Sequence, residues 1–91
     1  MKVRISPYAW GQLEALSADQ QAQARRLLAA IVLANGTVGR PWNRDLKGRQ
    51  QWIVSALDTH VIFRVAFRQS GDTLYITSVL VFPTPPDPNN A

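Results

Sequence analysis

The chain contains no cysteine, one histidine and one glutamate, Glu14. Without cysteine there is no disulfide framework, no thiolate nucleophile and no sulfur ligand. A lone histidine, His60, and scattered carboxylates make a poor metal site, so neither metal nor cofactor is expected. No stretch reaches the roughly 18 apolar residues of a membrane span. MKVRISPYAW lacks the apolar run of a secretory signal, so the expected location is the cytoplasm.

What remains is enough for one small core. The 91 residues are 46% hydrophobic, which fits a single folded domain. Lys and Arg outnumber Asp and Glu by 10 to 6, and the surplus is uneven. From Arg40 to Arg68 there are six basic residues, namely Arg40, Arg44, Lys47, Arg49, Arg64 and Arg68, against Asp45 and Asp58. A clustered surplus favours a phosphate-rich or acidic partner, and a solvated basic face is the plain alternative.

The local pattern predicts an α+β fold. KVRIS alternates Val3 and Ile5 with polar residues, as a half-buried strand does, and Pro7 then opens a short helix over PYAWGQLEAL. SADQ is a capping box in which Ser17 and Gln20 satisfy each other's backbone amides. The helix that follows, 18–34, carries an apolar stripe of Ala24, Leu27, Leu28, Ile31 and Ala34, and Asn35-Gly36 stops it. The two helices are close enough in sequence to form a hairpin. Residues 36–50, rich in glycine and charge, read as a loop. Three strands, 51–57, 60–68 and 73–82, with short turns between them, predict a three-stranded antiparallel meander. Residues 1–82 thus form the domain, and the proline-rich 83–91 an extended tail.

Strand parity sorts HVIFRVAFR into two faces. Val61, Phe63, Val65 and Phe67 are assigned to the core, under the helices. His60, Ile62, Arg64, Ala66 and Arg68 are assigned to the opposite, open face, where a solvated sheet surface is the alternative to a binding site. The same parity places Tyr75 with Val79 and Val81 in the core. Trp52 is expected to pack beneath the loop, while Trp42 is the candidate for stacking on bases.

The order of strand, two helices, basic loop and meander over residues 2–82 resembles the RelE/ParE superfamily of type II toxin-antitoxin toxins. The segment RDLKGRQQWIVSALDTHVIFRVAF carries the local likeness: Leu46, Lys47 and Gly48 in a turn, Trp52 opening a strand, Asp58 in the next turn, then Val61 to Val65. The resemblance implies a small α+β domain with a curved antiparallel sheet. For the RelE branch it implies a ribosome-dependent endoribonuclease that cleaves mRNA in the decoding site and so inhibits translation. For the ParE branch it implies inhibition of DNA gyrase. Both imply a cognate antitoxin as partner. This sequence has His60 and Ser55 where many RelE-like toxins have arginine, and FPTPPDPNNA offers no counterpart of the family's C-terminal Tyr or His. A non-catalytic RNA- or protein-binding module, a degenerate toxin, is therefore a further reading.

Cleavage by 2′-hydroxyl attack needs a base, an acid and cations on the phosphate. An imidazole titrates near neutral pH, so His60 is the candidate base or acid, with Arg64 and Lys47 as the catalytic cations. Arginine is a poor proton donor, which leaves Lys47 or a ribosomal group to complete the pair. Arg40, Arg44, Lys47, Arg49 and Arg68, with Trp42, are the candidate nucleic-acid contacts.

Overall fold

A computed structural model describes residues 2–57 and 61–83 of the chain. The expected Asp58–Thr59 turn and the tail beyond Pro83 lie outside them. The elements run β1 (Lys2–Ile5), α1 (Pro7–Glu14), α2 (Ala18–Leu33), β2 (Arg40–Arg44), β3 (Gln50–Leu57), β4 (Val61–Ser70) and β5 (Thr73–Pro83). The architecture is α+β, with two helices and one five-stranded mixed sheet of order β1-β5-β4-β3-β2.

The helix ends follow their sequence signals. Ser6 caps α1, its hydroxyl accepting from the Ala9 amide at 3.0 Å, with Pro7 in the first turn. Both halves of the Ser17–Gln20 capping box are present at the start of α2. Its far end stops where Asn35 (φ 53°) and Gly36 (φ 70°) turn left-handed and the Gly36 amide donates to the Ile31 carbonyl.

The expected sheet is corrected in two respects. First, the sheet is five-stranded and mixed, larger than a three-stranded meander. β1 joins β5 in parallel, from Lys2 opposite Thr73 to Ile5 opposite Ile76. Second, the supposed loop 36–50 contains β2, paired antiparallel to β3 with Arg40 opposite Ile53. Pro41 disguises it: proline is excluded from central strands but tolerated at an edge, where β2 lies. Gly39 lets the chain arrive there. It has φ 92°, and a Cβ at that position would sit 2.6 Å from the Ile53 carbonyl oxygen. The β4–β5 turn is also tighter than expected. Gln69 and Ser70 still pair with Leu74 and Thr73, leaving a two-residue turn at Gly71 and Asp72.

The core forms on one side of the sheet. Phe63, Val65 and Phe67 from β4 and Leu74, Ile76 and Val79 from β5 pack with Ala9 and Leu13 of α1 and with Ala24 and Ile31 of α2. The β4 parity therefore stands, with Val61 half-buried at the margin of the same cluster. β5 does not keep a single parity. Ala66 pairs with Ser78 but Phe67 pairs with Ile76, so Thr77 is an extra residue, a β-bulge. Before the bulge the even positions, Leu74 and Ile76, face the core; after it the odd ones, Val79 and Val81, do. Tyr75 thus lies on the open face, against the sequence expectation.

β1 accompanies β5 only to Ile76, and α1 protects part of what lies beyond. The Gln12 amide oxygen accepts from the Val79 amide at 2.7 Å and from the Ser78 hydroxyl at 3.2 Å. Replacing Gln12 by alanine strips the buried Val79 of that acceptor. We expect Gln12→Ala to cost about 1–3 kcal/mol in urea denaturation, and Gln12→Glu, which keeps an oxygen there, to cost less.

Candidate functional site

The open face divides into a basic end and an apolar end. At the basic end, a cross-strand row runs from Arg4 on β1 through Tyr75 on β5 to Arg68 on β4. The Arg68 guanidinium lies over the Tyr75 ring, 4.0 Å from its centre, a cation–π contact that fixes both side chains. Arg4, Arg49, Arg68, Tyr75 and Thr77 line one hollow of about 330 Å³. Lys47 adjoins it, lining a second hollow with Arg49 and Thr77.

The β2–β3 turn holds Arg49 there through Asp45. The carboxylate accepts from the Lys47 and Arg49 amides at 2.9 and 2.8 Å and from the Arg49 Nε at 2.7 Å. Desolvation pushes the Asp45 pKa up, but the Arg49 and Lys47 hydrogen bonds and the Arg49 charge together outweigh it, holding the carboxyl below its ordinary 3.8. A depressed carboxylate stabilises the fold above its unfolded pKa, and that contribution is lost as pH falls through the folded value. Asp45→Asn is therefore expected to melt below the parent protein near neutral pH. The gap between the two melting temperatures should close in acid, below the ordinary aspartate range.

Thr77 supplies more than a parity change. Its hydroxyl donates to the Gln51 side-chain oxygen at 2.6 Å, tying β5 to β3 across the open face. Gln51 in turn reaches Asn43 of β2 at 3.4 Å. Beside this polar bridge runs a broad groove of about 540 Å³, walled by Tyr8, Trp42, Leu46 and Leu80.

At the apolar end, Ile62 lies between Leu57 of β3 and Phe82 of β5. Arg64 adjoins them, opposite Ser55 and Leu80. Its guanidinium is 5.5 Å from the centre of the Phe82 ring, and its buried Nε finds no hydrogen-bond partner among the described residues. Ala66, expected on the polar surface, is fully buried in a row between Ile53 and Ser78.

The expected catalytic trio is therefore not assembled among the described residues. His60 lies outside them. Lys47 belongs to the basic end, whereas Arg64 sits four residues along β4 from Arg68, about 13 Å at strand spacing. Of the expected nucleic-acid contacts, Arg49 and Arg68 share a hollow with Tyr75, and Lys47 lines the neighbouring hollow with Arg49. Arg40 is exposed on β2, in a separate hollow with Ile53 and Ser55. Arg44 donates to the Gly48 carbonyl at 2.8 Å, bracing the turn, and also lines the broad groove with Trp42. Trp52 pairs with Phe67 on the helix-side face and borders a hollow with Gly36 and Val38, under the start of the former loop.

The sequence alone does not mark Arg4 as a site residue, and it offers Tyr75 only as a remote proton donor that strand parity assigns to the core. The parity of KVRIS already set Arg4 apart from Val3 and Ile5, but only the β1–β5 pairing brings it to Arg68. Among the described residues no group of three or more His, Asp and Glu side chains is placed to hold a metal ion, and no helix is long and apolar enough to cross a membrane. Compared with protein-family models, with curated proteins and with solved structures, the chain finds no match in any of the three.

Proposed function

We propose that the chain is the toxin of a type II toxin-antitoxin module, of the RelE/ParE superfamily, and that it inhibits translation by cleaving mRNA on the ribosome. The observation that carries this reading is the convergence of Arg4, Arg49 and Arg68 around Tyr75 on the sheet face opposite the main core. Guanidinium groups are suited to phosphate because they are always charged and bind it through paired N–H donors. The element order, with two helices between β1 and the remaining strands, is the one the resemblance requires. The cytoplasm is the compartment that this function needs.

The cluster offers what 2′-hydroxyl attack consumes. In that reaction the 2′-oxygen forms a bond to phosphorus and the bond to the 5′-oxygen breaks, leaving a cyclic phosphate and a free 5′-hydroxyl. A base takes the 2′-hydroxyl proton and an acid returns one to the departing oxygen. Arg4, Arg49 and Arg68 stabilise the charge that builds on the phosphate, with Lys47 beside them. Tyr75, which the sequence offered only as a remote candidate acid, has a phenol that can protonate the departing 5′-oxygen, leaving the 2′-hydroxyl proton to a ribosomal group. His60 and Arg64 form the competing catalytic assignment. The acidic, apolar-flanked segment of a cognate antitoxin would neutralise the toxin by covering the same cations.

The test is induced expression in a bacterial host. Wild type should arrest growth and cut a reporter mRNA only in the presence of ribosomes. Tyr75→Phe and Arg68→Ala should relieve the arrest, and Arg64→Ala should not. Relief by His60→Ala with Tyr75→Phe still toxic would move the chemistry to the other end of β4. Arrest without mRNA cleavage, together with loss of supercoiling by purified gyrase, would replace the ribonuclease reading with the ParE-like one. Full arrest with neither activity would leave a non-catalytic binding module.

A further inference from the structure

The arginine cluster explains how a phosphate is held but not why a groove with aromatic walls lies beside it. Tyr8 projects from α1 and Trp42 from β2, and both line the same groove of about 540 Å³. That volume is within the usual range of about 300–1,000 Å³ for small-molecule sites. Both side chains stay accessible, Tyr8 at 68% and Trp42 at 37% exposure. Aromatic groups of this size are more often covered when their only role is packing.

The groove is continuous with the cationic end. Thr77 lines the groove, the hollow that contains Lys47 and the hollow of Arg4 and Arg68. The Thr77–Gln51 hydrogen bond gives the junction a polar floor, and Arg44 and Asp45 place one charge of each sign on the groove wall. An aromatic trough opening onto a row of guanidinium groups matches the two parts of a nucleotide, a flat base and a charged phosphodiester. A purely apolar partner would leave the cations unanswered, and a bare anion would leave the aromatic walls empty.

We propose that Tyr8 and Trp42 form a nucleobase subsite, seating one unpaired base of a single-stranded RNA while the arginine cluster holds its neighbouring phosphate. The subsite rests on the nucleic-acid reading given above and adds to it the substrate class, an unstacked base in a single strand. Stacking is tolerant of base identity, so the subsite selects single strands over duplexes more than one base over another.

The test is fluorescence anisotropy with two end-labelled probes, a single-stranded RNA hexamer and a hexamer of the same backbone with every base removed. Wild type should bind the RNA at least about fivefold more tightly than the abasic probe, on the scale of one stacked base. Trp42→Ala and Tyr8→Ala should each reduce that preference and leave the abasic affinity unchanged, and Trp42→Phe should restore it. Arg68→Ala should weaken both probes alike. Wild type that holds both probes equally, or Trp42→Ala and Tyr8→Ala variants that keep the full preference, would overturn the subsite while leaving the phosphate site standing. Wild type that holds neither probe would overturn the nucleic-acid reading and the subsite together.

Discussion

Replacing Phe67 by alanine is expected to remove about 3–5 kcal/mol of stability, a large share of the roughly 5–15 kcal/mol that holds a domain folded. Phe67 is one of the largest fully buried side chains in the molecule and packs in a cluster supplied by both helices and the two central strands. It also stands where the register between β4 and β5 changes, paired with Ile76 while its neighbour Ala66 pairs with Ser78. The void left by the ring would therefore open beside the bulge, and the surrounding strands can close it only by giving up that register. Phe82, 41% exposed on the opposite face, is the matched control, and Phe82→Ala should cost under about 1 kcal/mol. Urea midpoints of the two variants measure the contrast. A larger loss for Phe82 than for Phe67 would mean that the two faces of the sheet have been assigned the wrong way round.

Replacing Arg68 by alanine should have the largest functional effect with little effect on folding. Its guanidinium rests on Tyr75 and shares a hollow with Arg4 and Arg49, so its removal takes away one phosphate contact and frees the tyrosine ring. Affinity for single-stranded RNA should fall about tenfold, the equivalent of about 1.4 kcal/mol. The slope of log affinity against log salt should drop by about 0.7, the value for one phosphate contact on a single strand. Stability should change by only about 0.5–2 kcal/mol, the range for a cation–π contact between half-buried groups. Arg68→Lys keeps the charge but not the planar donor fork, and should recover part of the affinity. Arg25, exposed on α2, is the control, and Arg25→Ala should leave both affinity and salt slope unchanged. Equal losses from Arg25→Ala and Arg68→Ala would indicate diffuse attraction by net charge.

Much of this arrangement was legible in the residues. The capping signals at Ser17 and Asn35-Gly36 fix the ends of α2 because they act through neighbours a few residues away. The alternation of Val61, Phe63, Val65 and Phe67 fixes the faces of β4 because nothing interrupts its period of two. What escaped depends on distant pairing. Thr77 looks like any strand threonine, yet as an extra residue it reverses the parity of β5 and carries Tyr75 from the expected core to the open face. Pro41 argues against a strand unless that strand is known to be an edge. Arg4 and Arg68 are 64 positions apart, and only the parallel seating of β1 on β5 brings them to one tyrosine. Arg64 goes with Lys47 if the basic segment 40–49 enters the sheet beside the whole β4 row, whereas β4 extends Arg64 away toward Phe82.

The cluster of Arg4, Arg49, Arg68 and Tyr75 is proposed as the working face of a ribosome-dependent ribonuclease. Primer extension on an mRNA in a purified translation system, with wild type and Tyr75→Phe compared at equal concentration, tests it most directly. Wild type should give discrete cuts that require ribosomes, and Tyr75→Phe should reduce them at least about a hundredfold, the lower range for loss of a proton-transfer group. Intact mRNA with wild type, or identical cutting by both proteins, would contradict it.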